Sequence, residues 1–279
     1  MGTLYLVATP IGNLEDFSAR AVRILKEVRL IAAEDTRHTA KLLSHFDIHT
    51  PSTSYFEHNK QKKLKKVLQA LEKGDVALVS DAGTPGLNDP GFLLVRAALD
   101  AGHTVSPIPG PTAPIAALVV SGLPTDRFLY LGYLPRKGGE RQRAIREVRD
   151  LPYTLIFFET PHRMIDALED LQAILGDRDI AVAGELTKMY EDVFRGTITQ
   201  ARDYFARQPA RGEYTLVIAG QTKEGARWEE DKLIDSLKER LTGETPLSEI
   251  ARKVSELSGW PRRKVYRLLT DLQSEQENN

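Results

Sequence analysis

Three apolar runs in the first 120 residues each break abruptly into a loop built on proline and glycine. This recurrence constrains the fold more than any other feature of the chain. Residues 4–8 (LYLVA) run into Thr9, Pro10, Ile11, Gly12 and Asn13. Residues 76–79 (VALV) run into Ser80, Asp81, Ala82, Gly83, Thr84, Pro85 and Gly86, and the loop continues to Gly91. Residues 104–108 (TVSPI) run into Pro109, Gly110, Pro111, Thr112, Ala113 and Pro114. Short apolar runs with branched side chains are the pattern of strands buried on both faces. Glycine lets a backbone approach a ligand closely, and proline fixes the turn. An amphipathic run, 92–101, follows the second loop. Strand, glycine-rich loop and helix in that order mark where open α/β sheets bind ligands, outside the carboxyl ends of the strands. A long surface turn is the other reading of the same residues.

The rest of the chain extends the alternation. A helix is expected over 18–27, capped by Ser18, then a strand over 30–33 that runs into Glu34, Asp35, Thr36, Arg37 and His38. Helices are expected over 39–46 and 61–73, with a polar passage over 55–60 between them. Alternating strands and helices argue for a parallel sheet covered on both faces. A turn-rich break at 121–126 (SGLPTD) divides this lobe, 1–120, from a second, 121–224. Its strands are expected at 128–131, 154–158, 179–183, 193–197 and 214–219, with a helix over 164–175 and some antiparallel pairing. Residues 220–227 read as a linker. From Trp228 the chain reads as helical, and 225–279 forms a third domain.

Composition narrows the chemistry. Hydrophobic content of 41% and charged content of 28% describe an ordinary globular protein. The chain has no cysteine, which excludes disulfides, thiolate metal sites and cysteine nucleophiles. Neither a signal peptide nor a membrane span is expected. No loop carries the G-x-G-x-x-G fingerprint, the P-loop or the G-x-S-x-G elbow. His38, His45, His49, His58, His103 and His162 show no metal-binding spacing, so no metal is expected. A formal net charge of −1 means that any nucleic-acid footprint must be local.

Six segments, taken together, carry a resemblance. They are ATPIGNLED (8–16), AAEDTRHT (32–39), LVSDAGTPGLNDPG (78–91), PIPGPTA (107–113), FFETPHR (157–163) and ELTK (185–188). In unbroken order over about 4–220, they resemble the ribosomal RNA small-subunit 2′-O-methyltransferase I family, within the tetrapyrrole (porphyrin and corrin) methylase superfamily. The tail resembles that family's helical C-terminal domain more loosely. The resemblance implies two α/β lobes of the tetrapyrrole methylase type with a cleft between them, plus a small helical domain. It implies S-adenosyl-L-methionine as methyl donor, cradled by Asp81, Ala82, Gly83, Thr84 and Pro85 and by Gly110, Thr112 and Ala113. It further implies a cytoplasmic homodimer acting on a cytidine ribose in the decoding region of 16S ribosomal RNA, within the assembled small subunit. One departure bears on the acceptor. Tetrapyrrole methylases carry a GxGxGD-type loop after the first strand, whereas this chain has Thr9, Pro10, Ile11, Gly12 and Asn13. That loop belongs to the acceptor side, with Asn13 on it, so the change favours RNA over a tetrapyrrole. A small-molecule methyltransferase and a non-catalytic RNA-binding or ribosome-assembly protein are the alternatives.

The chemistry of such a reaction selects candidates. A sulfonium already activates the methyl group, so alignment with the acceptor oxygen is the enzyme's main task. A ribose hydroxyl is a poor nucleophile at neutral pH and gains from a nearby base or cation. Strand-end loops offer Glu34, Asp35, Arg37, Glu159, His162, Arg163, Glu185 and Lys188. Lys188 with Glu185 is the first choice as a proton-handling pair; a structural ion pair between the lobes is the rival. Arg37 and Arg163, with His162, suit phosphate or ribose clamps, and surface pairing is their alternative. Asp81 serves either the donor or the bracing of its own loop. RNA needs local positive charge, for which 136–149 and 60–66 (KQKKLKK) are candidates, as against solvated helix faces. In the tail, a helix over 246–257, a turn at Gly259 and a basic helix over 261–272 form a helix-turn-helix pattern. Arg262, Arg263, Lys264 and Arg267 crowd one side of its second helix. A docking or dimerisation domain is the other reading.

Overall fold

The computed structural model describes residues 2–56, 60–88, 91–208, 212–221, 228–241 and 245–277. Asp89 and Pro90 of the central loop, His58, and the expected linker from Thr222 onward lie outside them. The chain divides into two compact units, Met1–Gly220 and Gln221–Asn279.

The first unit holds two five-stranded sheets. One is built from β1 (Thr3–Val7), β2 (Leu30–Ala33), β3 (Ser52–Ser54), β4 (Val76–Val79) and β5 (Thr104–Ile108), in the order β3-β2-β4-β1-β5. Every pairing in it is parallel. The reason lies in the strand sequences, whose successive side chains point to opposite faces. Ala77 and Val79 join Val7, Ile31 and the apolar side of α1 (Ala19–Glu27) in one core. Val76 and Leu78 join Leu4, Val67, Leu71, Leu94 and Ala98 on the other face, below α3 (Lys60–Leu71) and α4 (Gly91–Asp100). A strand buried on both sides needs the uninterrupted apolar run that the sequence shows. Ser18 caps α1 as expected, its side chain accepting from Ala21 N at 3.1 Å, a contribution of about 1 kcal/mol. The next helix, α2 (Thr36–His45), starts three residues earlier than its apolar pattern suggests. Asp35 caps it and accepts from Arg37 N at 2.8 Å. Strand β3 was not expected at all: three residues of serine and threonine at a sheet edge carry no apolar signal.

The other sheet contains β6 (Phe128–Tyr133), β7 (Thr154–Glu159), β8 (Asp179–Gly184), β9 (Asp192–Thr197) and β10 (Tyr214–Ile218), in the order β6-β7-β10-β8-β9. Only β6 with β7 is parallel; the other pairs are antiparallel. Leu155, Phe157, Ile180, Val182 and Leu216 face a core shared with α6 (Gly138–Val148), α7 (Met164–Leu175) and α8 (Ile198–Arg207). The opposite face, Ile156, Ala181, Ala183 and Val217, packs on Ala117 and Leu118 of α5 (Ala113–Ser121). Helix α5 begins inside the expected Pro109–Pro114 loop, because proline at a first helical turn is favourable rather than disruptive. One basic stretch is altered by the packing. Arg141, counted among the cations of 136–149, is 6% exposed and its Nε donates to Asp170 Oδ2 at 2.6 Å. It braces α6 against α7 and is not available to RNA.

The second unit consists of α9 (Glu230–Arg240), α10 (Leu247–Ser258) and α11 (Arg262–Glu277) around Leu233, Leu237, Ile250, Ala251, Val254, Val265 and Leu269. Gly259 ends α10 with φ 69°, a left-handed conformation that glycine adopts without strain. Arg262, Arg263, Lys264 and Arg267 are all exposed on α11. Among the described residues no helix is long and apolar enough to cross a membrane, and no group of three or more acidic or histidine side chains is placed to hold a metal ion.

Candidate active site

All strands of the first sheet end at the same side, so their loops converge. An isolated antiparallel bridge joins the loops after β1 and β4: Thr9 N donates to Gly83 O at 2.9 Å, and Gly83 N donates to Thr9 O at 3.0 Å. The Thr9 hydroxyl adds a bond to Ser80 O at 3.1 Å. The β5 loop is tied in by the Thr84 hydroxyl, which donates to Pro111 O at 3.3 Å. The β2 loop is held through Asp81, whose Oδ1 accepts from Asp35 N at 3.0 Å, while Asp81 N donates to Glu34 Oε2 at 3.2 Å. Asp81 therefore braces two loops while also facing the cavity they enclose. Gly83 has φ 78°, and a Cβ there would lie 3.5 Å from Ile11. The loop needs glycine for its backbone conformation more than for space.

The cavity has a volume of about 330 Å³ and draws on both sheets. From the first come Ile11, Glu34, Asp81, Gly83, Thr84 and Asn88; from the second, Tyr133, Phe158, Glu185, Lys188, Glu213 and Tyr214. Ala82, Thr112 and Ala113 also line it, whereas Pro85 and Gly110 stand outside the lining. Gly110 has a packing role: a Cβ there would meet the Ala8 Cβ at 2.9 Å. Four lining carboxylates (Glu34, Asp81, Glu185 and Glu213) face one ammonium, that of Lys188. The cavity is thus suited to a cation. The Tyr133 hydroxyl is held above the usual tyrosine range, first by burial and then by Glu213, Glu159 and Glu34.

Glu185 and Lys188 meet directly, with Lys188 Nζ donating to Glu185 Oε1 at 2.7 Å. They lie on a loop after β8 that has two non-glycine residues at positive φ, Glu185 at 48° and Thr187 at 66°. Such conformations cost about 1–3 kcal/mol each and persist only where the surroundings enforce them. Thr187 N donates to Glu191 Oε2 at 2.7 Å, and Lys188 N to Glu185 O at 3.0 Å. Gly12 closes the other side. A Cβ there would come within 2.5 Å of Lys188 Cγ and 2.8 Å of Leu186 O.

The remaining expected residues lie outside the lining. Asn13 accepts from Glu15 N and caps a short helical turn over Leu14–Asp16. Arg37 is exposed, and its guanidinium makes two bonds to the Asp35 carboxylate, at 2.8 and 3.2 Å. Arg37 beside it holds the Asp35 carboxyl down at about 2. His162 is exposed on a turn over Pro161–Arg163. Arg163 differs from the clamp expected of it. Its side chain is 19% exposed and is used internally, on Leu134 O at 2.5 Å and on the fully buried Glu159 at 3.0 Å. Burial raises the Glu159 carboxyl above its ordinary range, partly offset by the Thr160 amide and Arg163. Sequence reasoning missed Tyr133, Phe158, Glu213 and Tyr214. The cue was slight: Glu213 and Tyr214 flank the start of a strand, where polar residues usually mean only a surface edge.

Comparison with known proteins adds an independent line. Residues 3–202 match the family of Tetrapyrrole (Corrin/Porphyrin) Methylases. The chain is 48% identical to the "Ribosomal RNA small subunit methyltransferase I" of Synechocystis sp., over 99% of this chain and 100% of that protein. It is 44% identical to the protein of the same name from Halalkalibacterium halodurans, over 96% and 94% of the two chains. Among solved structures it resembles the uroporphyrin-III C-methyltransferase of Thermus thermophilus complexed with S-adenyl homocysteine. There the TM-score is 0.55 at 21% identity, covering 78% of this chain and 97% of that one. That likeness concerns the fold.

Proposed function

The chain belongs to the ribosomal RNA small subunit methyltransferase I family, within the tetrapyrrole (corrin/porphyrin) methylases, and from that footing we propose that it transfers a methyl group from S-adenosyl-L-methionine to small-subunit ribosomal RNA. The acceptor atom in this reading is the 2′-oxygen of a cytidine ribose in the decoding region, met within the assembled small subunit. The protein acts as a cytoplasmic homodimer. Exposed apolar side chains such as Phe92 on α4 and Val119 on α5 suit contact with a second copy.

The observation that carries the reading is the acidic cavity where the loops of both sheets meet. S-adenosyl-L-methionine, when bound, supplies a methyl group already activated by a positive sulfonium. Four carboxylates against one ammonium give the lining a negative formal charge, which favours such a cation. The same lining loses that attraction once the ligand's sulfur is neutral, which favours exchange of product for fresh donor. Asp81, Ala82, Gly83, Thr84, Thr112 and Ala113 hold the donor, and Pro85 and Gly110 shape the loops behind them. Glu185 accepts the proton of the ribose hydroxyl on a carboxylate oxygen. The Lys188 ammonium, one hydrogen bond away, offsets the negative charge that develops on the ribose oxygen. Arg262, Arg263, Lys264 and Arg267 contribute phosphate contacts, and Asn13, Arg37 and His162 contribute further contacts to the acceptor RNA. Arg163 serves this site indirectly, by fixing the end of β7.

The test is to incubate the protein with methyl-labelled donor and small subunits from cells that lack the activity, then map the label. Label on a ribose oxygen of the small-subunit RNA is expected. Label on a base, or on an added tetrapyrrole alone, would refute the assignment.

A further inference from the structure

The loop that carries Glu185 and Lys188 into the cavity continues outward into Met189 and Tyr190, neither of which lines the cavity. Met189 is 89% exposed and Tyr190 is 80% exposed. A large aromatic and a methionine side by side at such exposure lose apolar contact with no structural return. Their support is unusually firm for a loop tip. Glu191 accepts from Thr187 N at 2.7 Å and donates its own backbone N–H to Lys188 O at 3.1 Å, closing the turn on both sides of the pair. The enforced positive φ of Glu185 and Thr187, with Gly12 packed beneath, fixes the direction in which the chain leaves the cavity. Tyr190 is two residues beyond Lys188, so their Cα atoms are within about 7.6 Å. One short ledge thus presents a charged pair inward and an apolar, aromatic tip outward.

We infer that Tyr190, backed by Met189, is a stacking platform for an unpaired nucleobase of the RNA acceptor, at or next to the nucleotide whose ribose is methylated. This rests on the RNA reading above and names the part of the acceptor that the second lobe grips. The chemistry fits. A base in a folded RNA must leave its stack for its ribose to enter a cleft, and an exposed aromatic face replaces the lost stacking. Stacking needs no charge and tolerates any base, so it complements the phosphate contacts supplied by cations. Methionine adds a polarizable, adaptable surface beside the ring. The phenol oxygen has no part in this role.

The experiment measures methyl transfer to small subunits under steady-state conditions for the wild type and for Tyr190→Ala, Tyr190→Phe and Met189→Ala, with donor binding followed by calorimetry. Tyr190→Ala should raise KM for the small subunit about tenfold, leaving kcat and donor Kd within about twofold. Tyr190→Phe should restore KM to within about twofold of the wild type, and Met189→Ala should shift it in the same direction as Tyr190→Ala but less. An unchanged KM in Tyr190→Ala, or a fall in kcat alone, would overturn the inference. So would failure of phenylalanine to restore KM, or a change in sedimenting mass that assigns Tyr190 to contact between copies of the chain. Failure of the RNA reading has a different signature: the wild type itself would place no label on small-subunit RNA, and the platform would fall with it.

Discussion

The two sheets of residues 2–220 contribute to one cavity by opposite means. The first is wholly parallel, so every strand ends on the same side and its loops meet there without special provision. Those loops are joined through backbone, with Gly83 at φ 78°, a bridge between Thr9 and Gly83, and carbonyls that accept from threonine hydroxyls, and they bring the Glu34 and Asp81 carboxylates to the cavity. The second sheet is mostly antiparallel, and its strand ends point both ways. It contributes side chains: the aromatics Tyr133, Phe158 and Tyr214 from its strands, and Glu185 with Lys188 from a loop where Glu185 and Thr187 hold the positive φ that glycine would accept freely. We propose a division of labour in which the first rim, built on glycine apart from Asn88 at φ 62°, holds the donor, while the ledge of Glu185 and Thr187 positions the reacting groups.

A large effect should come from Gly12, where the two regions touch. Gly12→Val would drive a side chain into Lys188 Cγ and Leu186 O, displacing the ledge and leaving the first sheet intact. The expected result is a fall in kcat of about a hundredfold, the scale of a misplacement near 1 Å, with donor Kd little changed by calorimetry. If donor binding fails instead, the two regions are not separable.

A paired exchange probes strain directly. Gly83→Ala puts a side chain at positive φ and should lower stability by about 1–2 kcal/mol, seen as a lower melting temperature, together with weaker donor binding. Thr187→Gly removes strain on the other side. Its melting temperature should stay level or rise slightly, because the relief offsets glycine's greater freedom in the unfolded chain, while kcat falls several-fold. A large loss of stability in Thr187→Gly would show that the ledge is not strained in the intact protein.

The smallest effect concerns Asp35, which caps α2 and pairs with Arg37. The hydrogen bonds from Arg37 hold its carboxyl at about 2, below the ordinary aspartate range. A depressed carboxyl contributes stability that is present above the unfolded value and is lost as pH falls through the folded one. Denaturation curves taken between pH 5 and pH 2 should therefore show a slight acid loss that Asp35→Asn lacks. Because the pair is exposed, the difference should be near the limit of detection.

What could be read from the chain follows the same division. The first sheet was legible because two-sided burial demands continuous apolar runs and close backbone approach demands glycine; β2 and β5 fall at their expected residues. Strand β3 escaped because an edge of serine and threonine borrows its pairing from Ala32 and its neighbours. Helix α5 was hidden by the proline at its start. The second region was legible as strands but not as a site. Nothing in the sequence ties Gly12 to Lys188, Asp170 to Arg141, or Tyr133 to Glu213, since each contact is made only by the tertiary fold. Arg141 and Arg163 look like surface cations for that reason, and burial reassigns both to structural pairing.

The division of labour is tested most directly by measuring donor affinity and turnover together for Asp81→Ala and Lys188→Ala. Asp81→Ala should weaken donor binding about tenfold or more, by loss of a charged partner, with kcat at saturating donor largely kept. Lys188→Ala should bind donor almost as the wild type does and lose at least about a hundredfold in kcat. The reverse pattern, with Lys188 governing affinity and Asp81 governing turnover, would contradict it.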